Sequence, residues 1–69
     1  MKNVVSMAQR RELRAAVRTA ALAMVKRDGL KATAELLGVN PRTIQFWQMG
    51  TWPTWPAAKR HAVLLKVKP

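Results

Sequence analysis

Cysteine is absent from this 69-residue chain, and both histidine and acidic residues are scarce. Without cysteine, neither a disulfide framework nor a thiolate metal site can supplement packing. The single histidine, His61, cannot build a metal cluster, and the three acidic residues stand apart from one another: Glu12, Asp28 and Glu35. No nucleophile pattern or glycine-rich phosphate loop accompanies His61. The sequence therefore predicts a protein that is not an enzyme and that has no cofactor or metal site.

Long apolar runs are also missing. The most apolar region, residues 15–25, is interrupted by Arg18 and Thr19, and it falls short of the ~20 apolar residues that span a bilayer. The N-terminal residues 1–6 lack the continuous apolar stretch of a signal peptide. We therefore expect a cytoplasmic protein with no membrane partner.

Positive charge is what the chain has in excess. Thirteen Lys and Arg residues face three Asp and Glu residues, which gives a formal net charge of +10 on one domain, residues 1–69. Such a field attracts polyanions and speeds their encounter. Nucleic acid is the expected partner, while a generic cationic surface and an anionic membrane are the alternatives. Charge alone does not distinguish DNA from RNA.

The first predicted helix is long. Ser6 and Gln9 have the spacing of a capping box, so a helix should begin near Met7. It should end near residues 28–29, where a glycine follows an aspartate. Apolar side chains recur along it at spacings of four, three and four, which predicts one apolar stripe made of Leu13, Val17, Ala20 and Met24.

An arginine stripe flanks these apolar positions. Arg11, Arg14 and Arg18 recur at spacings of three and four, with Arg10 beside them. One interpretation is a solvated helix face, since charge runs on helices often mean only that. The other is contact with DNA phosphates by a helix that lies against the backbone. The sequence leaves both open.

Glycine and proline divide the middle of the chain into two short helices. A helix over residues 31–37 should stop at Gly38, which suits the left-handed conformation that closes a helix. Asn40 is a favoured N-cap and Pro41 a favoured first helical residue. A third helix is therefore predicted from there to about Met49.

The C-terminal part follows a Trp-Pro turn, residues 51–56. Thr54 can cap a fourth helix, in which the apolar positions are Ala58, Ala62 and Leu65. Residues 66–69 are expected to fray or to add a short dimer strand. The predicted fold class is all-α, a small domain of four to five helices.

Each residue around Gly38 has a packing reason in a helix-turn-helix, in which the second helix enters the major groove. Ala34 sits four residues before the glycine, where a small side chain lets the helices approach. Leu37 and Val39 flank the turn with apolar contacts. Ile44 and Trp47 are expected to point back from the third helix into the core.

Residues 33–39, Thr-Ala-Glu-Leu-Leu-Gly-Val, with Ile44 after them, resemble the helix-turn-helix of the phage Cro and repressor proteins. The resemblance covers about residues 30–49, with the helix-turn-helix at about 31–49. The same pattern serves excisionases, antitoxins, transposase arms and many bacterial regulators. The Trp-Pro turn and fourth helix look more like the all-helical Cro proteins than those that end in a β-hairpin.

The resemblance implies a lambda-repressor or Cro-like fold and a sequence-specific, double-stranded DNA-binding transcriptional regulator. Helix 41–49 would read the major groove, and the protein would bind a two-fold operator as a homodimer. It would act in a bacterial cell, where a phage could encode it. Two alternatives stay open. One is an excisionase-like or architectural DNA-binding protein. The other is a small cationic protein inhibitor or membrane-active helix that acts through helix 1.

One side of helix 41–49 is expected to face the bases, at about 100° per residue: Arg42, Gln45, Phe46 and Met49. Arg42 can pair with guanine, Gln45 with adenine, and Phe46 can pack on a thymine methyl. Arg42 can equally bind phosphate, Gln45 can be an exposed helix former, and Phe46 can pack against helix 1. Contacts to the DNA backbone are expected from Asn40, Thr43, Lys31, Arg11, Arg14 and Arg18.

Three further side chains have two interpretations each. Trp52 and Trp55 are expected to pack in the core or at a dimer interface, although aromatics in a basic groove can also stack bases. His61 is expected to be partly buried or on the surface.

Overall fold

The first helix contacts each of the other three. In the computed structural model, which describes residues 6–67, α1 spans Met7–Asp28. The Ser6 backbone N–H donates to Gln9 Oε1 at 2.9 Å, and the Gln9 N–H donates to Ser6 Oγ at 3.1 Å. The predicted capping box is therefore confirmed. At the other end the Gly29 N–H donates to the Val25 carbonyl.

Three shorter helices follow within residues 6–67: α2 (Leu30–Leu37), α3 (Pro41–Gln48) and α4 (Trp55–Leu65). No strand occurs in this part of the chain. The all-α class is confirmed, and the helix boundaries lie within one residue of those predicted for α2 and α3.

Gly38 makes the turn between α2 and α3. Its φ of 68° and ψ of 32° are left-handed, and the N–H groups of Gly38 and Val39 donate to the carbonyls of Glu35 and Ala34. This closes α2 by satisfying carbonyls that a helix end leaves unpaired. Asn40 then caps α3, because its Oδ1 accepts the Arg42 N–H at 2.9 Å. Both predicted boundaries are confirmed.

The core consists of two clusters placed along α1. In the first, Leu13 and Val17 of α1 pack with Ala58 and Ala62 of α4. The second joins α1 to α2 and α3 and consists of Ala21, Ala34, Leu37, Ile44 and Trp47. Leu65 packs against both clusters and so connects them.

The apolar stripe predicted for α1 coincides with the buried core only in its first half, at Leu13 and Val17. Ala21 is fully buried, whereas Ala20 and Met24 are only half-buried. Four-residue steps from Leu13 through Val17 lead to Ala21, and successive steps of four turn by only about 40° around a helix. The core therefore continues along that line as α2 and α3 replace α4 as the neighbours of α1.

Both ends of α4 differ from expectation. Thr54 is the N-cap by position, but within the described residues its side chain makes no capping hydrogen bond. Lys66 is left-handed, and the Val67 N–H donates to the Ala62 carbonyl at 2.8 Å. Val67 packs against the first core cluster. Residues 66 and 67 therefore close α4, the dimer strand stays a prediction, and residues 68–69 of the predicted tail lie outside the described residues.

Gly38→Ala should lower the free energy of unfolding by about 1 kcal/mol, because a left-handed backbone is costly for a residue with a Cβ. A Cβ at this position would meet no atom within 4 Å, so the backbone conformation alone is tested. Urea denaturation followed by circular dichroism measures the change. Gly38→Asn is the control, since asparagine tolerates this conformation and should lose less. Equal stability of all three proteins would contradict the assignment of the turn.

Candidate nucleic-acid interface

The third helix has one buried and one exposed side. Ile44 is fully buried and Trp47 is 3% exposed, as predicted for the residues that point into the core. The opposite side, here called the α3 outward face, consists of the four residues expected to meet bases: Arg42, Gln45, Phe46 and Met49. All four are exposed, and the two apolar ones remain 47% and 79% accessible. Phe46 is therefore not packed in the core against α1.

The residues expected on the DNA backbone fall into three groups. Asn40 and Thr43 lie at the start of α3, where Asn40 is exposed and Thr43 is half-buried. Lys31 is exposed in the first turn of α2, and Arg11 is exposed on α1. Among the described residues, no hydrogen bond joins Lys31 or Arg11 to α3. The third group, Arg14 and Arg18, behaves differently.

Arg14 and Arg18 are half-buried and donate to backbone carbonyls of the protein itself. Arg14 Nε donates to the Pro53 carbonyl at 2.7 Å, and Arg18 Nε donates to the Trp47 carbonyl at 2.8 Å. These bonds attach α1 to the last turn of α3 and to the Trp-Pro turn. Neither interpretation of the arginine stripe, a solvated face or phosphate contact, included this role.

The same stripe covers two tryptophans. The Arg14 guanidinium carbon lies 5.9 Å from the Trp52 ring centroid, and that of Arg10 lies 5.3 Å from the Trp55 ring. Cations over aromatic faces are attracted by the ring quadrupole. Trp55 is half-buried and packs on the first core cluster, whereas Trp52 remains 37% exposed. The packing role predicted for Trp55 is thus confirmed.

Arg18 also places a positive charge at the C-terminal end of α3. The Trp47 carbonyl accepts from Arg18 and from the Gly50 N–H at 3.1 Å. Helix C-termini carry unpaired carbonyls and a partial negative charge, so a cation there is favourable. The position of α3 relative to α1 is therefore fixed both by packing and by this bond.

His61 is buried, a placement that the sequence reasoning missed. Its side chain is 1% exposed, and its ring centroid lies 5.7 Å from that of Trp47. Neither ring nitrogen has a hydrogen-bond partner within the described part of the chain. Burial, and secondly the charge of Arg60, lower the pKa of His61. A signal was present, because His61 lies between Ala58 and Leu65 at helical spacing.

Comparison of the chain with family models, with curated proteins and with solved structures finds no match to any of them. Across residues 6–67 no helix is long and apolar enough to cross a membrane.

Arg18→Gln should lower the free energy of unfolding by about 1–2 kcal/mol, because it removes a charge-assisted hydrogen bond to a half-buried carbonyl. Urea denaturation at neutral pH measures it. Arg11→Gln is the matched control, since it removes the same charge from an exposed position of the same helix and should change stability by less than about 0.5 kcal/mol. Equal losses in the two variants would show that charge, and not the bond to Trp47, is responsible.

The free energy of unfolding should fall as the pH drops below about 6.5, the ordinary pKa of histidine. The folded-state pKa of His61 is lower than this, so between the two values the unfolded chain binds more protons. The contribution of neutral His61 to the free energy of unfolding is fully present above pH 6.5 and is lost on acidification. The free energy of unfolding should change by at most about 1.4 kcal/mol per pH unit.

His61→Phe provides the comparison for that measurement. It keeps a ring of similar shape against Trp47 and removes the titrating group, so the pH dependence of the difference between the two proteins isolates His61. Parallel stability curves from pH 7.5 to pH 5 would contradict a depressed pKa.

Proposed function

We propose that this chain is a sequence-specific, double-stranded DNA-binding transcriptional regulator in which α2 and α3 act as a helix-turn-helix. The observation that carries the proposal is the division of α3. Ile44 and Trp47 are buried while the α3 outward face stays exposed. A short helix that packs on the core with one side, and exposes polar and apolar side chains on the other, suits insertion into the major groove. The +10 charge of the chain supports a polyanionic partner.

Side-chain chemistry gives each position on the α3 outward face a role. Arg42 offers the bidentate donors that fit guanine O6 and N7, and Gln45 can donate and accept at adenine N6 and N7. Phe46 and Met49 offer apolar contact to thymine methyls. Arg42 lies in the first turn of α3, the end at which recognition helices of this type commonly reach base edges.

Phosphate contacts are proposed from the exposed cations and the N-terminal end of α3. Lys31 and Arg11 are exposed, and Asn40 and Thr43 lie at the helix start. Arg14 and Arg18 contribute in another way, because their Nε donors bond to protein carbonyls. We assign these two to holding α3 and the Trp-Pro turn in position, so that the outward face is presented rigidly.

A homodimer on a two-fold operator is part of the proposal. One eight-residue helix contacts only a few base pairs, and readers of this type gain discrimination by placing two helices one turn of DNA apart. Sedimentation with and without operator DNA tests this step. A single copy per operator half-site, with no preference for paired half-sites, would contradict it.

Exposed aromatics favour one second candidate, an architectural or excisionase-like protein. Phe46 is 47% and Trp52 is 37% exposed, and apolar wedges of this kind can unstack base steps and bend DNA. Gel mobility of permuted sites distinguishes the two, because a wedge protein bends its site strongly. The remaining alternative, action through helix 1 alone, is weakened because Leu13 and Val17 of that helix are buried and would have to leave the core.

Selection of bound sites from random duplex DNA at near-physiological salt tests the proposal. We expect a short, palindromic motif whose affinity exceeds that of scrambled DNA by about 10³-fold or more. An affinity that depends only on salt concentration, with no enriched motif, would overturn the proposal of a sequence-specific regulator and favour the architectural candidate.

Arg42→Ala should cost about 1–3 kcal/mol of binding free energy on the selected site, and its loss should be confined to one base position. Arg11→Ala is the matched control on an exposed position of α1. It should weaken binding to every sequence alike and flatten the slope of log K against log salt by about one unit. Fluorescence anisotropy at several salt concentrations measures both. A uniform loss from Arg42→Ala would remove its role in reading a base.

A further inference from the structure

An open groove lies between α3, the Trp-Pro turn and α4. Its volume is about 240 Å³, larger than the engineered cavity of about 150 Å³ that holds benzene. Thr43 and Phe46 contribute from α3, Trp52 and Pro53 from the turn, and Arg60 from α4. The groove is therefore large enough for one or two fused rings.

The groove is lined mainly by apolar and aromatic side chains. Phe46 and Trp52 both line it and both remain partly exposed, while Trp47 lines it from the core. Aromatic rings prefer the company of other rings in stacked or edge-to-face arrangements. A planar aromatic group is thus the apolar occupant that this lining favours.

Charge at the groove is positive. Arg60 is exposed and lines it, and among the described residues none of the lining side chains is acidic. An arginine at the rim pairs with carboxylate or phosphate through two parallel hydrogen bonds. The occupant that complements this charge carries an anionic group.

The buried histidine forms part of the groove wall. His61 also lines the groove, and it is 1% exposed with neither ring nitrogen partnered within the described residues. An unpaired polar group at such a place destabilises the folded chain. Both nitrogens are covered by protein atoms, so His61 contributes its ring to the wall of the groove, and a hydrogen bond from an occupant would require the lining to shift.

We propose that this groove binds a small planar aromatic molecule with one anionic group, its ring against Phe46 and Trp52 and its anion on Arg60. Two sources share this chemistry, a free aromatic carboxylate and a nucleotide. The site goes beyond the proposed function, since it lies beside the α3 outward face and shares only Phe46 with it.

Two-dimensional proton NMR of the whole chain tests the site, because its single histidine and single phenylalanine each give one ring spin system that is distinct from those of the tryptophans. Benzoate is the first probe, benzyl alcohol its uncharged match, and adenosine monophosphate the nucleotide. We expect benzoate to shift the His61 and Phe46 ring signals saturably, with a Kd on the order of 1 mM. Benzyl alcohol should bind at least about tenfold more weakly.

Arg60→Gln and Lys59→Gln form the matched pair. Both positions are exposed and adjacent on α4, but only Arg60 lines the groove. Arg60→Gln should raise the Kd for benzoate about tenfold, because it removes a charge-assisted hydrogen bond, and Lys59→Gln should leave it within about twofold. Circular dichroism checks that both variants are folded.

The possible outcomes separate the sources and the alternatives. Saturable shifts with benzoate alone support a carboxylate site, and tighter binding of the nucleotide supports a nucleotide site. Equal binding of benzyl alcohol, equal effects of the two variants, or the same shifts on raising protein concentration without any probe would each overturn the proposal. The last result would show that a second copy fills the groove. The NMR titration contains no DNA. A negative result in it therefore leaves the proposed function standing, and a negative result in the DNA selection leaves the titration valid.

Discussion

Trp47 is held by both its side chain and its carbonyl, and the orientation of α3 depends on it. The indole is 3% exposed in the second core cluster and lies against His61. The carbonyl receives Arg18 from α1 and the Gly50 N–H from its own turn. Burying one large side chain in the last turn of an eight-residue helix, with Ile44 buried one turn earlier, decides which side of that helix faces outward. The exposure of the α3 outward face follows from this anchoring.

A small chain has few large apolar side chains with which to anchor a helix in this way. Within residues 6–67, four of the nine buried hydrophobic residues other than proline are alanines, which let helices approach closely but bury little area each. Arginine stems and guanidinium groups over tryptophan rings supply additional contact. Part of the positive charge is therefore structural. The chain has thirteen Lys and Arg residues, but Arg14 and Arg18 bond within the protein, so fewer than thirteen cations are available to a polyanion.

Local signals predicted the helices well because the physics behind them is local. Ser6 with Gln9, Gly38, and Asn40 with Pro41 each act through hydrogen bonds or backbone angles within a few residues. Contacts between helices were harder to predict. The choice of Ala21 over Ala20, and the partners of Arg14, depend on which element lies opposite α1, and helical spacing carries no such information. The exposed side of α3 was predictable because the two residues on its opposite side, Ile44 and Trp47, are large and apolar.

The placement of two side chains is the reverse of what stability alone would favour. Phe46, the single phenylalanine, is 47% exposed, while His61, the single histidine, is 1% exposed with unpartnered nitrogens. Exchanging their characters would bury more apolar area and relieve an unsatisfied polar group. Local departures from the most stable choice concentrate at functional sites. Both residues line the same groove beside α3, so the binding site proposed there would account for both placements.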